Sequence, residues 1–126
     1  MVADPLALDV GETAQAAAQV LSRPEVRAVF VCDDAKLVGV VTRKTLVTGV
    51  VAAGLDPTST KLGEIAEEPN ATVDGSTPLG DAFAFLEDKD YERVPVVENG
   101  KLVGVLSRSV VQRRLAEDEP PVEAEL

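Results

Sequence analysis

The stretches KLVGVVTR (36–43) and KLVGVLSR (101–108) are one eight-residue phrase written twice. Six positions are identical, and the other two exchange Val41 for Leu106 and Thr42 for Ser107, which keeps apolar and hydroxyl character. A shift of 65 residues extends the match without a gap: Asp9 falls on Asp74, Ala17 on Ala82, Leu21 on Leu86, Val29 on Val94 and Val31 on Val96. A fixed internal period is an architectural signal, and two copies mean a duplicated unit, not a solenoid. One copy of about 50 residues buries too little apolar surface to stand alone, so the two are expected to share an interior.

Each copy predicts the same order of elements. In the second, Leu79, Ala82, Phe83 and Leu86 recur at helical spacing over 78–90. RVPVV (93–97) reads as a short strand, the Asn99-Gly100 pair as a tight hairpin turn, and LVGVLS (102–107) as the return strand. Residues 108–117 then place Val110, Val111 and Leu115 on one helical face. In the first copy the spacing predicts a helix over 12–22, strands over 28–32 and 37–41, and a helix from 43 to 53 ended by Gly54. DDAK (33–36) replaces the Asn-Gly turn and predicts a looser hairpin. KLGEIAEE (61–68) predicts a short helix and ATV (71–73) a brief strand. Pro95 is expected at an exposed or irregular point of its strand, since proline cannot donate to a ladder.

The chain therefore divides into a first repeat over 1–55, a linker with a short helix over 56–70, a second repeat over 71–117 and an acidic, disordered tail over 118–126. Of 126 residues 45% are apolar but only 3% aromatic, so the core must be built from Val, Leu and Ala. The net charge is −10, and the last eleven residues hold five acids and no base, leaving about −5 on the rest. No basic face is available for nucleic acid or an anionic membrane surface, and no apolar run approaches the roughly 20 residues that span a bilayer. A soluble protein is expected. The single cysteine, Cys32, rules out a disulfide within the chain, suits a reducing cytoplasm and is expected to be a small buried hydrophobe.

A strand, hairpin, return strand with Gly-apolar-apolar-[Thr/Ser], and following helix resemble a CBS domain, and the tandem resembles a CBS pair, or Bateman module. The resemblance is carried by AVFVCDDAKLVGVVTRKTLV (28–47), TVDGSTPLGDAFAFL (72–86) and VPVVENGKLVGVLSRSVV (94–111). It implies an α+β fold of two pseudo-twofold-related repeats, each a small sheet flanked by helices, packed through their sheets. It further implies a regulatory, signal-transducing module that binds AMP, ADP, ATP or S-adenosylmethionine in clefts between the repeats. Homodimerisation and an attached or partner enzyme or transporter go with it, and no cofactor is required beyond a possible adenine nucleotide.

The physical case for a phosphate site rests on the two strand-to-helix junctions. Thr42 and Ser107 stand where a helix begins and can cap its unpaired N–H groups, which together with the helix dipole attract anions. Arg43, Lys44 and Arg108 follow at once and can supply charge-assisted bonds to phosphate. Capping alone, with the bases solvated, explains the same residues. Where the family pattern has an aspartate for the ribose hydroxyls, this sequence has Thr45 in one copy and Val110 in the other. The wall for a base would come from Val29, Val31, Val94 and Val96, which are also core positions. Phe30 and Tyr91 are the rings near the repeats able to stack on a base, or simply to pack.

Catalysis finds little to work with. The chain has no His, the commonest general base near neutral pH, and Cys32 has no histidine partner. A zinc site would lack its usual ligands. A ligand-free interaction or dimerisation module, pairing through the helices after each hairpin, is the competing expectation.

Overall fold

A computed structural model describes residues 7–69 and 71–118. They fall into two compact units: 7–69 together with Asn99–Leu102, and Ala71–Glu98 together with 103–118. The first six residues, Asn70 and the acidic tail beyond Asp118 lie outside the described residues.

The first unit runs β1 (Ala7–Asp9), α1 (Ala14–Leu21), β2 (Val29–Asp33), β3 (Lys36–Val41), α2 (Arg43–Leu46), a π-helical turn (Val47–Val51) and α3 (Leu62–Ile65). β1 lies parallel to β2 and β2 antiparallel to β3, with Val29 opposite Val41 and Asp33 opposite Lys36. β-branched residues fill these strands because they fit a pleated, half-buried surface. The second unit repeats the plan with β4 (Val73–Asp74), α4 (Leu79–Lys89), β5 (Arg93–Glu98), β6 (Lys101–Ser107) and α5 (Arg108–Asp118). β4 is parallel to β5, as β1 is to β2.

The repeat is a repeat of core positions. Ala17, Leu21, Val29, Val31 and Val41 are buried together in one cluster. Their counterparts 65 residues on, Ala82, Leu86, Val94, Val96 and Leu106, are buried together in the other. Each fully buried Val or Leu contributes about 1.5–3 kcal/mol of hydrophobic stabilisation. The first cluster closes through many such small increments, while Phe83, Phe85 and Tyr91 add aromatic packing to the second.

The linker is fixed by what it gives to α1. The Ala14 and Gln15 amides, orphans of the first helical turn, donate to the carbonyls of Thr60 and Pro57 at 2.8 and 3.0 Å. Thr13 accepts from the Ala16 amide at 3.2 Å. Beyond α3, Glu67 exchanges backbone hydrogen bonds with Val40 at 2.8 and 2.9 Å, which lays residues 66–67 along β3. Gly39 allows this approach: a Cβ there would stand 2.7 Å from the Ala66 Cβ and 3.0 Å from the Glu67 carbonyl oxygen.

Four local expectations need correction. The first hairpin is as tight as the second: Asp34 and Ala35 have φ of +52° and +73°, matching Asn99 and Gly100 at +53° and +80°. Both central residues at positive φ make a two-residue turn whose twist suits the strands, and the Asp33–Lys36 ladder holds it although Ala35 is not glycine. The helix expected over 43–53 is α-helical only to Leu46; Ala52 donates to the carbonyl of Val47, five residues back, at 2.8 Å. Valines and Gly49 in this turn are poor α-formers. Pro95 is buried inside β5, one residue ahead of Val96, where pairing with β4 begins. Cys32 is half-buried, since the strand alternates at its end. Among the described residues no helix is long and apolar enough to cross a membrane.

Candidate functional site

At the first junction β3 ends at Val41, and Thr42, in extended conformation, caps α2. The Thr45 amide donates to the Thr42 hydroxyl at 3.3 Å and the Thr42 amide donates to the Thr45 hydroxyl at 3.0 Å. This reciprocal cap satisfies two amides, a capping box with threonine in the role usually held by a carboxylate or amide. Thr45 is 2% exposed, and its hydroxyl also donates to Glu67 Oε1 at 3.0 Å. The bonding capacity of Thr45 is thus filled from within the chain. Arg43 and Lys44 are exposed, and Arg43 Nη2 donates to the Arg23 carbonyl at 2.9 Å.

At the second junction the Val110 amide donates to Ser107 Oγ at 3.1 Å, the counterpart of the Thr45–Thr42 cap. Ser107 is buried and its hydroxyl lies 3.2 Å from that of Ser109. Val110 supplies no hydroxyl, so the reciprocal half of the cap is missing. Arg108 pairs with Asp90 at 3.2 Å and with Glu92 at 3.3 Å.

Of the sequence-predicted residues, Thr42, Arg43, Lys44 and Thr45 come together as one cap, and Ser107 with Arg108 as the other. Val29 and Val31 are 0% exposed, Val94 and Val96 1% and 3%; in the structure they are core. Tyr91 packs edge-on to Phe85, ring centroids 6.1 Å apart, and Phe30 is buried. Sequence reasoning missed Glu67, Asp90 and Glu92. Glu67 carries no periodic signal; the acids at 90 and 92 are visible only when the two copies are compared for charge as well as for apolar pattern.

Both β-to-α connections start with an Asx turn. Asp9 accepts from the Gly11 amide at 2.8 Å and Asp74 from the Ser76 amide at 2.9 Å, with the Ser76 hydroxyl added at 2.6 Å. The Ser76 hydroxyl, then its amide, hold the Asp74 carboxyl below the usual carboxylate range. Burial, and secondly the Asp9 charge, push the Cys32 thiol up, away from a reactive thiolate. A recess of about 220 Å³ lined by Thr72, Val73, Asp74, Thr77, Ala82 and Phe85 opens beside β4. It contains none of the predicted residues and is smaller than the roughly 300–1,000 Å³ of ordinary ligand pockets.

Comparison with known proteins agrees with this anatomy. The CBS domain family matches residues 1–52 and again 62–117, and the chain belongs to that family. Hypoxic response protein 1 of Mycobacterium tuberculosis is 34% identical over 107 residues, 84% of this chain and 75% of that protein. A crystal structure of Hypoxic Response Protein I with two coordinated zinc ions superimposes with a TM-score of 0.75 at 30% identity, covering 90% of this chain and 94% of that one. A putative acetoin utilization protein (AcuB) from Vibrio cholerae shares the fold with a TM-score of 0.77 at 23% identity, covering 96% and 94%. CBS pairs are regulatory modules, and that coarse role is the one the family gives this chain.

Proposed function

We propose that the chain is a ligand-sensing regulatory module that binds an adenine nucleotide or S-adenosylmethionine, with its phosphate or charged end at the first junction. The observation that carries this is the exposed pair Arg43 and Lys44 directly after the Thr42 cap, in a protein of net charge −10. Arg43 is held in place by a neutral carbonyl, so its charge is not cancelled by a carboxylate partner. Thr45, already committed to Thr42 and Glu67, serves to hold the cap and not the sugar. Ser107 and Arg108 are the second candidate set. The valines at 29, 31, 94 and 96 would act from beneath, by shaping the surface.

A ligand that binds only the folded protein stabilises it by mass action, by about 2.7 kcal/mol at a hundredfold excess over Kd. Millimolar ATP or AMP is therefore expected to raise the melting temperature by several degrees, while inorganic phosphate leaves it unchanged. No shift with any adenine compound would count against nucleotide sensing. The setting that goes with this role is the cytoplasm, and the output an altered activity of a partner enzyme or transporter. Catalysis by the chain itself has no support in a residue inventory without His. The zinc ions of the related structure do not transfer either. The chain offers no His and one Cys, and among the described residues no three potential ligands cluster.

A second reading has its own observation. Val47 and Val51, at the two ends of the π-helical turn, and Leu55 just beyond it are 57%, 73% and 47% exposed. So much exposed apolar side chain within nine residues suits a ligand-independent homodimer. Light scattering that gives a dimer mass without nucleotide, lost in Val51→Glu, would favour it; a monomer at all concentrations would not.

A further inference from the structure

In the first unit the outer edge of β3 is covered by the chain itself. The Val40 amide donates to the Glu67 carbonyl at 2.8 Å, and the Glu67 amide donates to the Val40 carbonyl at 2.9 Å. Gly39 leaves room for Ala66, and the Thr45 hydroxyl donates to the Glu67 carboxylate at 3.0 Å. Residues 66–67 thus form a strap fastened at its backbone and at one side chain.

The second unit has every position that lies under such a strap. Gly104 repeats Gly39, Val105 repeats Val40 and Val110 repeats Thr45. Gly104 is buried, and Val105 and Val110 are half-buried. Beyond Lys101, which bridges to Lys36, no described residue pairs with β6 on the edge away from β5. An open edge on a strand that carries Val103 and Val105 is a liability that folded proteins cover.

The repeat distance of 65 names the occupant. Ala66 falls on Met1 and Glu67 on Val2. Val73, the start of β4, follows Glu67 at the same distance as Leu8 in β1 follows Val2. Pro69 and Pro5 each bias the residue before them towards extended backbone. The side chains that would meet also change together. Where Val110 replaces Thr45 and offers no hydroxyl, Val2 replaces the Glu67 carboxylate that the hydroxyl would have served.

We infer that the chain's own first residues, Met1–Asp4, form the strap of the second unit, with Val2 opposite Val105 on β6 and its side chain against Val110. One strap is fastened by a hydrogen bond, the other by apolar contact. The amino terminus is then part of the second unit's fold, and a partner that drew it away would uncover β6 beside the Ser107 cap.

Hydrogen exchange followed by NMR on the full chain tests this without added nucleotide. In the wild type the Val105 amide is expected to be protected to about the level of Val40. Val2→Glu sets an unpaired carboxylate against Val110, and should speed exchange at Val105 by about tenfold or more while leaving Val40 unchanged. Val2→Glu/Val110→Thr rebuilds the Thr45–Glu67 pair in the second copy and should return Val105 to the wild-type rate. A Val105 amide that exchanges in the wild type as fast as an exposed loop amide would overturn the inference. So would a Val105 rate indifferent to Val2→Glu, or a double variant no slower than Val2→Glu. Protection that falls as the protein is diluted would show a second copy covering the edge, and would overturn it too.

Discussion

Ala35 carries the clearest strain at the residue scale. It sits at φ +73° in a turn whose counterpart uses Gly100 at +80°. A left-handed conformation costs an L-residue about 1–2 kcal/mol, part of which glycine returns as unfolded-chain entropy. Ala35→Gly is therefore expected to stabilise the fold by about 0.5–1 kcal/mol, read as a higher urea midpoint at unchanged slope. Thr45 works in the opposite sense. Thr45→Val removes the acceptor of the partly buried Thr42 amide and the donor to Glu67 at a residue that is itself only 2% exposed, and should cost about 1–3 kcal/mol in the same measurement. Asp56 and Asp74 have carboxyls lowered from 3.8, chiefly by the hydroxyls of Thr58 and Ser76. A lowered folded pKa contributes stability that is present above the unfolded value and lost as pH falls through the folded one. Acid titration of Asp56→Asn/Asp74→Asn is thus expected to show a shallower fall in stability than the parent as pH drops below 3.8, the value of an unshifted carboxyl.

The segment at 66–67 that runs along β3 makes a prediction at the element scale. Gly39→Ala would put a methyl 2.7 Å from the Ala66 Cβ, and the neighbours are a side-chain stub and backbone, with little freedom to yield. The expected cost is about 1–3 kcal/mol, with faster hydrogen exchange at the Val40 and Glu67 amides and little change in α4. Elements of this kind also show where sequence reading stops. Both hairpins, both capped junctions and the helices α1, α4 and α5 follow from apolar period, Asn-Gly and hydroxyl signals. The tightness of the Asp34–Ala35 turn does not, because the ladder around it overrides the preference of the turn residues themselves. The burial of Pro95 has no signal in the local sequence, and the π-turn after Leu46 depends on how valines and Gly49 share a helix end. At the candidate site the caps were legible in Thr42 and Ser107. Glu67 was not, since it reaches Thr45 from 22 residues away.

For the whole molecule, duplication explains the core, and the charges around Arg43 and Arg108 are where the two copies differ. The central buried positions Ala17, Leu21, Val29, Val31 and Val41 recur 65 residues on, whereas the groups around the two arginines do not. Shared apolar positions keep the two halves alike in fold; unshared charged positions are free to specialise. The proposed sensing role requires that a nucleotide be held with an affinity useful at cellular concentrations. Native mass spectrometry of protein purified without added ligand, then supplied with ATP, tests this most directly. Nucleotide sensing predicts a mass increment of at least one adenine nucleotide per chain, reduced in Arg43→Ala/Lys44→Ala. A bare chain mass before and after millimolar ATP would contradict it.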